Sequence, residues 1–211
     1  MQVSATVLKD SSLVLGLKQS RFLLISTLIL VSGMLCGAIA VKFLDGRSLS
    51  FVNDCFKQFL SYRSTAKFYT IFLNSFLYGL IYITLITVSS LGISGFAVTP
   101  LLLFVRGFST CAVAGLLYRN YSLQGIAFAN LLLLPATIVV HFIVIYVANE
   151  GLLLTAKFYE LLKDVSFKGI EIRPSCLKLL KSLLICVAAL GVASVIEAVF
   201  SAGFMKYFKF N

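Results

Sequence analysis

KFYTIFLNSFLYGLIYITLITVSSLGISGFAVTPLLLFVR, residues 67–106, decides the fold: between Lys67 and Arg106 lie 38 residues without one charge. Soluble domains are about a quarter charged, and they do not carry runs of this kind. Gly92-Ile93-Ser94-Gly95 interrupts the run. It therefore reads as two apolar helices, each near the ~20 residues that a bilayer crossing needs. One is Phe68–Leu91, which contains Asn74, Tyr78 and Tyr82; the other is Phe96–Tyr118, which contains Pro100 and Arg106.

Outward from this stretch the pattern repeats. Phe22–Val41 is a charge-free span on the N-terminal side. Ala38-Ile39-Ala40 resembles a signal cleavage site, but the apolar stretch before it is too long for a signal peptide and reads as a retained helix. On the C-terminal side, Arg119-Asn120-Tyr121-Ser122 is a tight polar turn. Gly125–Ala148 follows, with Asn130, Pro135 and His141 inside it, and Ser182–Phe204 contains Glu197. Prolines that deep in a helix remove an amide donor and should kink or split it, at Pro100 and again at Pro135.

The expected fold class is an all-α polytopic membrane protein. It has one integral domain over residues 1–211 and about five spans, near 22–41, 68–91, 96–118, 125–148 and 182–204. Two polar amphipathic segments remain, 42–67 and 149–181. In the first, Phe51, Val52, Cys55, Phe56, Phe59 and Leu60 follow helical spacing and predict an interfacial helix near 48–62. In the second, Leu152, Leu153, Ala156, Tyr159, Leu161 and Leu162 alternate with Lys157, Glu160 and Lys163 and predict a helix hugging the surface.

Composition agrees: 60% of the chain is hydrophobic and 12% is charged, and the mean hydropathy is +1.01. Of the +10 net charge, much flanks the spans (Lys18, Arg21, Lys42, Lys67, Lys178, Lys181 and Lys206), where cations anchor helix ends at headgroups. No compact basic face is left for nucleic acid. The five cysteines include no CxxC, and with a single histidine they imply no metal site and no cofactor. The basic residues outside the spans divide nine against eight between the two sides. The leading segment, with Lys9, Lys18 and Arg21, favours an N-terminus inside.

Among residues that could carry function, Arg106 stands first. It sits well inside a span, where a charge is costly and faces a polar cavity or a partner. Glu197 is the only acid inside a span and is its natural counter-charge. Pro100 and Pro135 free backbone carbonyls that protein must satisfy. Gly33-Met34-Leu35-Cys36-Gly37 is a GxxxG pattern, and Gly107 follows Arg106; small faces of this kind support close helix packing and leave a homo-oligomer open. Gly92-Ile93-Ser94-Gly95 also matches the GxSG of rhomboid intramembrane serine proteases, with His141 in another span. A Ser94–His141 protease is therefore a remote alternative.

From Gly92 to Ala136 the chain resembles the stage II sporulation protein M family. The resemblance rests on the break at Gly92–Gly95, on Leu101-Leu102-Leu103-Phe104-Val105-Arg106-Gly107-Phe108, and on Gly115, Gly125 and Leu134-Pro135 in register. Cys111 stands where a second glycine is frequent, and Ala136-Thr137 where Gln-Asn is frequent. The resemblance implies a non-enzymatic scaffold in a bacterial plasma membrane that gathers envelope partners such as peptidoglycan hydrolases. The alternative it implies is a permease-type subunit beside an ABC ATPase, exporting or conferring immunity to a bacteriocin peptide.

Overall fold

The computed structural model describes residues 2–43, 54, 57, 58, 61, 66–163 and 173–204. Every regular element among them is helical: α1 (Gln2–Lys42), α2 (Phe68–Ser89), α3 (Gly95–Phe128), a short π-helical segment (Ala129–Leu133), α4 (Leu134–Lys163) and α5 (Arg173–Phe204). The apolar stripe from Phe51 to Leu60 lies outside the described residues, as does 164–172. Among the described residues, four stretches are long and apolar enough to cross a membrane: Ser20–Lys42, Phe68–Ser89, Gly95–Lys163 and Cys176–Gly203. Large apolar side chains such as Leu24, Leu35, Leu77, Ile81, Leu184 and Ile185 are exposed around the outside, a surface suited to lipid and not to water.

The 69-residue stretch Gly95–Lys163 would be about 100 Å long if straight, but it folds back on itself at Ser122. That residue has φ 47° and ψ −125°, outside the helical region. Gly125 abuts the Leu117 carbonyl across the bend, and Leu117, Phe128 and Leu132 close into a small buried cluster. Further from the bend, Thr110 meets His141 and Gly95 meets Thr155, so α3 and α4 run antiparallel. The turn expected at residues 119–122 therefore reverses the chain.

Pro135 deforms the second arm. It has no amide hydrogen for the Leu131 carbonyl, and the ladder widens to a π turn just before it, where the Leu134 N–H donates to the Ala129 carbonyl. Pro100 does not behave as expected: α3 passes through it without a break. It sits six residues into the helix, where only one carbonyl, that of Phe96, loses its donor. The break falls earlier, between Ser89 and Gly95. Its carbonyls are occupied there by Ser89, Ser90 and Ser94 hydroxyls, by turn amides, and by Thr155 Oγ1, which donates to the Ser90 carbonyl at 3.2 Å.

The surface helix expected over 152–163 is instead the continuation of α4. Leu152, Leu154, Thr155 and Ala156 are buried against the bundle, and only Tyr159, Glu160, Leu162 and Lys163 beyond them are exposed. Likewise α5 starts at Arg173 and not near Ser182. The polar segment 149–181 is thus mostly two helix ends, tied by Lys178 Nζ to Glu150 Oε2 at 3.0 Å.

α1 packs along α3 in parallel. Gly33 and Gly37 lie on the carbonyls of Phe104 and Phe108, and Gly107 lies on that of Leu30. With no side chain at these three positions, the two backbones touch. Arg119 Nη1 then donates to the Val41 carbonyl at 2.7 Å, closing the end of α1 with a cation. α4 sits in the middle, and α2 and α5 lean on it. Ile83, Ile86, Leu103, Val144, Val147 and Leu190 are fully or almost fully buried between them.

Candidate functional site

Tyr78 and Tyr82, four residues apart, present adjacent rings on one face of α2, with centroids 5.4 Å apart. Arg106 of α3 reaches across to them. Its guanidinium carbon is 5.4 Å from the Tyr78 centroid and 5.2 Å from that of Tyr82, within cation–π range. Behind it, Thr110 Oγ1 donates to the Arg106 carbonyl at 2.9 Å and meets His141 Nε2 of α4 at 3.3 Å. Tyr78 and Tyr82 of α2, Arg106 and Thr110 of α3 and buried His141 of α4 thus form one polar cluster.

Arg106 lies 11 residues into α3, about 16 Å along its axis, which is half the depth of a ~30 Å core. Among the described residues it forms no ion pair, and its Nε is buried without a hydrogen-bond partner. Glu197 accepts a hydrogen bond from Ser75 Oγ where α2 meets α5. The two intramembrane charges singled out from the sequence are thus engaged in different places, Arg106 by aromatic rings and Glu197 by a hydroxyl.

The other candidate residues play structural parts here. Gly107 lets α1 approach, Pro135 shapes the π turn, Asn130 is exposed within that turn, and Pro100 sits half-buried in α3. Ser94 is exposed and donates to the Ser89 carbonyl at 3.2 Å. His141 meets Thr110, which is 16 residues beyond Ser94 and so about 24 Å along the helix. The Ser94–His141 pair is not assembled, because the α3–α4 register aligns His141 with the middle of α3 and not with its start.

Nothing in the spacing along the chain joins the two tyrosines to Arg106; their four-residue separation, which puts both rings on one face of α2, is the only local signal of the site. It also missed a polar group at the end of the bundle that holds the α2–α3 turn. Thr99, Asn149 and Thr155 are fully buried there, with Glu150 5% exposed. Neither amide atom of Asn149 has a partner among the described residues.

A family model described as stage II sporulation protein M matches residues 26–202. No curated protein and no solved structure matches the chain.

Proposed function

The chain belongs to the stage II sporulation protein M family, and from that membership we propose that it is a non-enzymatic scaffold of the bacterial plasma membrane, gathering peptidoglycan-remodelling envelope proteins. Five crossings fit this role: α1, α2, the two arms of the α3–α4 hairpin, and α5, with the N-terminus in the cytoplasm. The Ser122 turn then lies on the outer side and the 90–94 turn on the inner side.

The observation that carries the reading is the cluster around Arg106. A charge at mid-membrane costs about 2.5–3.5 kcal/mol or more on insertion scales, and such residues are kept for a polar contact. Arg106 has aromatic partners but no acid among the described residues, and Tyr78 beside it is half exposed. That arrangement suits holding a partner. It supplies no nucleophile, base and oxyanion donor together. The same polar lining favours a second reading, the permease-type subunit of an ABC exporter, in which Arg106 and His141 line a peptide path.

Reconstitution separates the two. The purified chain alone in vesicles should neither move a peptide nor convert one, and adding an ABC ATPase and ATP should change nothing. ATP-dependent peptide uptake through such a pair would sink the scaffold reading and establish the exporter.

A further inference from the structure

We propose that the face bearing Arg106, Tyr78 and Tyr82 docks a transmembrane helix of a partner protein through an Asp or Glu carboxylate at mid-membrane depth. This rests on the scaffold reading and names the chemistry of the partner it would hold.

Charge complementarity makes the argument. The guanidinium has five N–H donors in a fixed fork, and tyrosine faces offer it no hydrogen-bond acceptor. No acid among the described residues pairs with it, and because Nε is buried, an incoming group would meet the other end of the fork. In hydrocarbon an unmet donor is costly, and a carboxylate is the group that an arginine fork matches in two parallel bonds. Depth excludes a lipid phosphate as the partner: headgroups lie at the bilayer surfaces, about 16 Å away along the helix axis.

A second copy of this chain does not fit either. Among the described residues, Glu197 is held by Ser75 and Glu150 by Lys178. The acid must come from another protein, and a helix is the backbone form that carries it to this depth with its own amides satisfied. The approach is open on the outer side. Tyr78 is 51% exposed, Leu85 two turns along the same face of α2 is 48% exposed, and Val105 on α3 is 42% exposed. They give a partner helix an apolar rim around the charged centre, and the tyrosine rings hold the guanidinium in place until the acid arrives.

The test uses the full chain, labelled with a fluorophore, in phosphatidylcholine vesicles. The probe is a synthetic leucine-rich transmembrane peptide with one central Glu, compared with the same peptide carrying Gln or Lys, and energy transfer reports association. The Glu peptide should bind about tenfold more tightly than the Gln peptide, equivalent to ~1.4 kcal/mol, and the Lys peptide should bind least. Arg106→Leu should erase the preference, and Arg106→Lys should keep part of it. Equal binding of the Glu and Gln peptides, or a preference that survives Arg106→Leu, would overturn the proposal. Should Arg106→Leu fail to insert, a Lys peptide that binds wild type as well as the Glu peptide does would overturn it equally. Envelope proteins that co-purify as well with Arg106→Leu as with wild type would also overturn it, while leaving the scaffold reading standing.

Discussion

Replacing Gly37 by alanine should loosen the contact between α1 and α3. A Cβ built there would sit 2.9 Å from the Phe108 carbonyl carbon and 3.0 Å from its Cα, with the oxygen closer still. Ordinary contact begins at 3.4 Å, so α3 would have to retreat by at least about half an ångström, and backbone cannot rotate away as a side chain can. Overpacking of this kind costs about 1–3 kcal/mol, and a contact with backbone belongs at the upper end. Alanine returns ~1 kcal/mol through helix propensity. The net expectation is a loss of about 2 kcal/mol. Gly191 is the control, since the nearest atom to its added Cβ is Phe76 Cε2 at 4.0 Å. Gly191→Ala should therefore be neutral or gain up to ~1 kcal/mol. Unfolding in mixed micelles with increasing SDS, followed by far-UV circular dichroism, measures both. Gly107→Ala, aimed at the Leu30 carbonyl, should behave as Gly37→Ala does. If either matched Gly191→Ala in stability, the backbone contact between α1 and α3 would be refuted.

Substitutions at three further places test other parts of the account. Ser122 holds a positive φ that glycine adopts without strain, so Ser122→Gly should raise stability by about 1 kcal/mol in the same assay and Ser122→Val should lower it by more; the opposite order would remove the strained turn from the account. Glu150 is buried and its partner Lys178 is exposed, so Lys178→Ala should cost more than Glu150→Gln, because only the first leaves a buried carboxylate unpaired; equal costs would count against that burial. Ser94→Ala should leave function in cells intact, and a loss of function in well-folded protein would revive the protease alternative.

Much of the fold was legible because it depends on quantities local in sequence. The charge-free run 67–106 marked two helices, Gly92–Gly95 marked their break, and residues 119–122 marked a reversal. Gly33, Gly37 and Gly107 marked close packing, and Pro135 a deformed helix. What was not legible depends on which helices become neighbours. Arg106 meets Tyr78 and Tyr82, and not Glu197, because α2 lies beside α3 while Glu197 faces Ser75. The register between α3 and α4 likewise decides that His141 meets Thr110, and spacing along the chain does not encode it. The end of α4 was misread for another reason. Asn149-Glu150 and the lysines after them look like an exit to water, yet the polar groups of 149–155 are buried against the α2–α3 turn and against α5, and the helix continues.

The central claim is that this chain works by holding other envelope proteins. Purification of the tagged full chain from its own cells in mild detergent, followed by native mass spectrometry, tests it most directly. The account predicts a defined complex in which the chain is bound in fixed stoichiometry to a membrane-anchored peptidoglycan-remodelling protein. A chain recovered alone, or in fixed stoichiometry with an ABC ATPase, would contradict it.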